Sequence, residues 1–258
     1  MATSLSNFSK THLPQSAVKT PIVLEFIGLP GAGKTTVFHQ VVAQLKQQGV
    51  SVAAGDEILR NWKRQPIWQR LWKLIPQNQN QWQILRKSLS LATQVKPTNW
   101  LSFSKAIKTY ANLKRIDAIA QTHNEQLLLL DQGLLQEIWS IGITGTTPAL
   151  ADIKEELTLI FSQRSIAIVD FQINIETAIH RIKNRPTEES RFDLMSQEAA
   201  QLLLSQYAPY LQDIINCAQT FDIPVLEIDS TLSVDEKTQQ IVSWIDNSLI
   251  KHPEPARL

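Results

Sequence analysis

The sequence predicts an α/β fold in which a parallel sheet is covered by crossover helices. Five short runs dense in Val, Ile and Leu recur along the chain, at Ile22–Ile27, Val50–Ala54, Leu127–Leu130, Ile166–Val169 and Ile223–Ile228. Unbroken apolar runs of this length suit strands buried on both faces. The segments between them carry helical periodicity, and that alternation is the order a parallel sheet requires. With 258 residues, 43% of them hydrophobic, the chain has the material for a full core.

The elements follow in order. Residues 1–20 are polar, rich in Ser and Thr, and lack the apolar core of a signal peptide, so they read as a loose tail. The domain then spans 21–250. After the first run, Val37, Val41, Val42 and Leu45 form a helical stripe, and Gly49 is a natural stop. The stretch from Ile58 to Ile116 is too long for a simple crossover. It reads as a helical insertion between the second and third strands, divided by Pro66, Pro76 and Pro97. Ile175, Ala178, Ile179 and Ile182 line a later helix. Val234, Ile241, Ile245 and Leu249 line the last one, with Ser233 or Thr231 as its cap. Residues 251–258, with two prolines, read as a frayed tail.

Gly28-Leu29-Pro30-Gly31-Ala32-Gly33-Lys34-Thr35 matches the full GxxxxGK[ST] pattern, and Thr36 follows it. The glycines let the backbone curl so that several N–H groups face one anion, and a helix begins where the loop ends. Lys34 is placed to reach β- and γ-phosphates, and the Thr35 hydroxyl to hold Mg²⁺. The order strand, loop, helix is the context this phosphate loop needs.

Leu127–Leu130 ends in Asp131, a carboxylate at the carboxyl end of a buried strand. In a parallel sheet those ends form the ligand crevice, so Asp131 is expected near the loop, at Mg²⁺ or at the acceptor. The other reading is a turn cap before Gly133. Asp56 and Glu57 stand at the end of the second strand, where they serve either an acceptor hydroxyl or a helix cap. Glu25, inside the first strand, is read as structural or as flanking the nucleotide. Arg181 and Arg185 share a helix face, and Arg191 follows in a polar loop after Pro186. Arginines that arrive over a transferring phosphoryl group stabilise its charge, which reads as a closing lid; a solvated face is the alternative.

In this order, FIGLPGAGKTT, LLLLDQG, IVDF with AIHRIKNRP and Arg191, and IPVLEID resemble the thymidylate-kinase-like branch of the P-loop nucleoside and nucleotide kinases. The resemblance covers about residues 21–55 and 125–248. It implies a P-loop NTPase fold with a five-stranded parallel sheet flanked by helices, and ATP with Mg²⁺ as donor. It also places Lys34, Thr35 and Asp131 on the phosphate and magnesium positions and the three arginines in or beside a lid. The chain departs from this family at the acceptor side. Gln132 stands where an arginine often follows the aspartate, and Ala54-Gly55-Asp56-Glu57 replaces a Glu-Pro signature. Gln132, Asp56 and Glu57 are therefore the candidate acceptor contacts.

The insertion has its own character. Residues 58–116 contain twelve Lys and Arg and no Asp or Glu, with Trp62, Trp68, Trp72, Trp82 and Trp100 interleaved. Such a block suits substrate phosphate, an anionic membrane surface or, less well, nucleic acid. The plain alternative is an acceptor subdomain with core tryptophans and solvated or paired charges. Cys217 is the single cysteine, expected in the core, so no intrachain disulfide forms, and the histidines lack metal-ligand spacing. No run reaches the ~18 apolar residues of a membrane span. The expectation is a cytoplasmic ATP- and Mg²⁺-dependent kinase acting on a small-molecule acceptor, peripheral to a membrane if the insertion binds one. A regulatory P-loop ATPase or GTPase, or an NTP-binding protein on a membrane or nucleic acid, are the competing readings. No guanine-reading Asn-Lys-x-Asp occurs, which weakens the GTPase form.

Overall fold

The computed structural model describes residues 21–96, 100–122, 125–143, 145–162, 164–185, 192 and 194–250. Both tails, Pro97, residues 186–190 and Arg191 lie outside the described residues. Five parallel strands form one sheet in the order β2-β3-β1-β4-β5. They are β1 Ile22–Gly28, β2 Val52–Ala54, β3 Leu127–Leu130, β4 Ile166–Gln172 and β5 Val225–Asp229. The helices are α1 Lys34–Gln47, α2 Gly55–Arg64, α3 Ile67–Lys73, α4 Gln79–Gln94, α5 Trp100–Thr122, α6 Leu134–Gly142, α7 Leu150–Phe161, α8 Ile175–Lys183, α9 Gln197–Gln219 and α10 Val234–Trp244. The last widens into a π-turned end at Ile245–Ile250.

The strands are buried because their side chains serve two cores, one on each face. Leu24, Phe26, Leu127, Leu129, Ala167, Val169 and Phe171 pack with α1 and α10. Val23, Ile27, Leu128, Leu130, Ile166 and Ile168 pack with α5 to α9. Each fully buried leucine of β3 contributes about 2 kcal/mol of transfer free energy. Local signals set the helix ends. After α1, Gly49 takes φ 81°, its N–H donates to Lys46 O, and the Val50 N–H donates to Leu45 O, a Schellman stop. Asn78, Asn174 and Ser196 accept first-turn amides at the starts of α4, α8 and α9. Ser233 and Glu236 form a capping box on α10.

Three expectations change. The helical insertion begins at Gly55, directly after β2, rather than at Ile58, and its first helix breaks at Pro66 into α2 and α3. Strand β4 runs on to Gln172, so Asp170 lies inside it, because its neighbours on both sides of the sheet are also strands. The insertion tryptophans are not core. Trp68, Trp72, Trp82 and Trp100 are exposed and Trp62 is half-buried, and α4 and α5 close their core instead with Ile84, Leu91, Tyr110, Leu113, Ile116 and Ile119. Cys217 is buried, as expected of a core thiol. Among the described residues, no helix is long and apolar enough to cross a membrane.

Candidate functional site

The site lies at the carboxyl ends of β1, β3 and β4. β1 delivers Gly28 to the start of the loop, and α1 leaves its end at Lys34. Gly31 and Gly33 have φ 85° and 84°, the left-handed region that favours glycine. A side chain at Gly31 would also meet the Ala178 carbonyl of α8 at 2.6 Å, so the loop is seated on that helix. α1 starts on Gly33 without a side-chain cap, which leaves its first amides to an anion.

Lys34 Nζ donates to the carbonyls of Gly28 at 2.7 Å and Leu29 at 3.0 Å, so the ammonium lies across the loop's own entrance. Burial pushes its pKa down to about 8, Asp131 and Asp170 pull it up, and Arg185 adds to the depression. Thr35 Oγ1 donates to Asp131 Oδ2 at 2.9 Å, joining the loop to the end of β3 across 96 residues of sequence. The other oxygen, Asp131 Oδ1, is buried with no hydrogen-bond partner among the described residues. Burial raises the Asp131 pKa, opposed by the Thr35 bond, Lys34 and His39, and reinforced by Asp56.

The remaining candidates separate. Arg181 sits inside α8 and donates to Gly31 O at 3.5 Å and Ser230 O at 3.0 Å, tying the loop to the turn after β5. Arg185 follows α8, and its charge reaches Lys34. Asp56 accepts from Arg60 at 2.8 Å and lies close enough to Asp131 to oppose its ionisation. Glu57 pairs instead with Lys46 on α1, at 3.0 Å. Gln132 is exposed. Leu29, Pro30 and Ala32 complete the loop, with the Ala32 N–H donating to Leu29 O, and Thr36 lies in the first turn of α1.

Two contributors, Asp170 and Gln136, escaped the sequence reading, and Glu25 was read only as structural or as flanking the nucleotide. Asp170, in β4, is 2% exposed; burial pushes its pKa up to about 6, and its bond to Gln172 and the nearby Lys34 oppose this. Its signal was the same as that of Asp131, an acid closing an apolar run. Gln136 accepts from the Gly28 N–H through its side chain at 3.3 Å. Glu25 accepts from the N–H groups of Leu134 and Leu135 through Oε2, at 2.8 and 3.1 Å, and of Gln136 through Oε1, at 2.9 Å. It is therefore the carboxyl group that caps the N-terminus of α6 and fixes the turn that follows Asp131, the structural role expected of it. Nothing in the local sequence links positions so far apart. Gly133 has no side chain because a Cβ there would fall 2.4 Å from the Glu25 carboxyl carbon.

No family model matches the chain, and no curated protein sequence matches it. Among solved structures it is similar to deoxyadenosine kinase from M. mycoides with the products dCMP and a flexible dCDP bound. That likeness has 17% identity and a TM-score of 0.48, over 88% of this chain and 100% of that one. It is similar also to the same kinase with dATP bound, at 14% identity and a TM-score of 0.44, over 87% and 100%.

Proposed function

We propose that the protein is an ATP-dependent kinase of the P-loop nucleoside and nucleotide kinase type, on a thymidylate-kinase-like plan, built as one catalytic domain over 21–250 and working in the cytoplasm. The observation that carries this is the Thr35–Asp131 bond across the phosphate loop, with the second Asp131 oxygen buried and unpartnered. A hydroxyl and a carboxylate suit Mg²⁺ held jointly with substrate phosphates, which needs only one or two carboxylates from the protein. Among the described residues no cluster of His, Cys, Asp and Glu offers a fuller cage. Bound there, Mg²⁺ would neutralise charge on the phosphate oxygens.

The chain's own groups do the rest. The loop amides and the start of α1 would bind the phosphates. Lys34 would exchange its two carbonyl contacts for phosphate oxygens, and the anion would restore the basicity that burial removes. Arg181 would hold the loop in shape, and Arg185 would add charge beside the transferring group. Asp56, at the start of α2 and near Asp131, is the carboxylate we assign to the acceptor hydroxyl. Glu57 and Gln132 would contribute less, one being paired with Lys46 and the other exposed.

The test is a transfer screen with labelled ATP and Mg²⁺ over nucleosides, deoxynucleosides, nucleotides, sugars and lipid-linked alcohols. One acceptor class should take up label. Lys34→Ala should lower that rate by ~100-fold or more, because a preorganised charge on the phosphates is lost. ATP hydrolysis stimulated by a macromolecule, with no labelled acceptor in any class, would replace the kinase with a regulatory ATPase.

A further inference from the structure

Helix α3 is built inside out. Ile67, Trp68, Leu71 and Trp72 are 66%, 69%, 61% and 73% exposed, and Ile75 just beyond the helix is 48% exposed. At 3.6 residues per turn the four helical residues fall within about 140° of the circumference, so they make one apolar face, and it points to solvent. The opposite side is polar, with Gln69 and Arg70 half-buried and Lys73 exposed. The Arg70 Nε is enclosed. Lys73 Nζ donates to Gln65 Oε1 at 2.8 Å and lies 5.8 Å from the centre of the Trp62 ring. Arg115 of α5 covers the same ring at 5.1 Å. No residue of α3 is buried on any side, so its apolar face is left uncovered by the described residues. The two tryptophans alone present on the order of 300 Å² of largely apolar surface, about the size of patch that marks an interaction site.

The charge around the face selects its partner. Lys63 and Arg64, both exposed, end α2 just before the Gln65-Pro66 link to α3, and residues 58–116 hold no acid at all. A second copy docked through the same face would bring these cations together, and so would any basic partner. An anionic bilayer instead supplies both halves of the complement, an acyl boundary for Ile, Leu and Trp and phosphate headgroups for Lys and Arg. The acids that pair other insertion cations are Asp152 and Glu155 with Lys87 and Glu137 with Lys105 and Lys108, on α6 and α7, and Asp56 with Arg60 at the start of α2, none of them on α3.

We propose that α3 is a membrane-docking element that lies in the interface of an anionic phospholipid bilayer, with Ile67, Trp68, Leu71 and Trp72 inserted and Lys63 and Arg64 among the headgroups. The docking needs no nucleotide and stands apart from the kinase reading. The test uses the full chain with vesicles of phosphatidylcholine, alone or with about one-third phosphatidylserine, at ~50 and ~150 mM salt. Binding should require phosphatidylserine, weaken at the higher salt and shift tryptophan emission to the blue. The triple variant Trp68→Ser, Leu71→Ser, Trp72→Ser should lose at least tenfold in binding while its circular dichroism is unchanged. Lys63→Gln with Arg64→Gln should also lose about tenfold or more, since each basic residue near the surface is worth roughly fivefold. The proposal is overturned if the wild-type chain does not sediment with the mixed vesicles at low salt, or if the triple variant binds as well as wild type. A wild-type dimer that the triple variant abolishes would also overturn it, by assigning the face to a second copy.

Discussion

At the scale of single residues, the candidate site depends on Asp131 more than on any other side chain. One of its oxygens holds Thr35 and the other is enclosed without a partner among the described residues. An unpaired buried carboxylate oxygen costs free energy unless a cation or donor reaches it. Asp131→Asn keeps the shape and one acceptor oxygen but removes the charge. The expected result is a Mg²⁺ requirement raised at least tenfold, with the bond to Thr35 and the fold retained. A Mg²⁺ titration of transfer, beside thermal melts of both proteins, reads this directly; an unchanged half-saturating Mg²⁺ would take Asp131 out of the metal site. Asp131 was legible in the sequence because four leucines precede it and a strand end follows from them. Asp170 carried the same signal and was passed over; what the sequence did not reveal is that pairing on both sides carries β4 past it and buries it beside Lys34. Glu25 was recognisable as a structural acid but not as the anchor of α6, since its donors come from residues 134–136.

Elements meet in places that no single element announces. At the junction of α4, α7 and α9, Glu156 is fully buried; it accepts a bond from Ser88, and the enclosed Tyr210 hydroxyl lies near enough to feel its charge. Burial pushes the Glu156 pKa up from 4.5 to about 7, against the pull of Ser88 and Lys87. Between those two values the folded protein holds a proton that the unfolded chain releases. Stability therefore falls as pH rises through the window and levels off above about 7. Glu25 and Asp170 act with the same sign. Urea unfolding at about pH 5 and about pH 7.5 should show a loss on the order of 1–3 kcal/mol per such group. Glu156→Gln keeps the acceptor for Ser88 and should reduce that loss, leaving the part due to the other acids. Equal pH slopes for the two proteins would mean that Glu156 is solvated. The helical insertion was legible as a whole, from its length and prolines. The exposure of α3 was not, because periodicity defines the apolar face of a helix without saying whether anything covers it.

Across the whole molecule, stability is distributed unevenly. β1 stands at the centre of the sheet, serves both cores and ends in the phosphate loop, so anything that binds the loop acts on the most buried part of the chain. Helices α2 and α3 are at the other extreme, since neither contains a buried residue. Local opening free energy follows buried contacts, so these two helices should open without the rest. Hydrogen exchange followed by mass spectrometry should find α2 and α3 exchanging at least a hundredfold faster than β1 and β4. A nucleotide that binds only the folded state adds about 2.7 kcal/mol at a hundredfold excess over its Kd. With Mg-ATP that increment should slow exchange in β1, the loop and the first turns of α1. It should leave α3 untouched, because α3 opens independently of the cores that the loop secures. Protection of α3 rising in step with α1 would contradict this division, since it would mean that the insertion and the nucleotide site close as one unit.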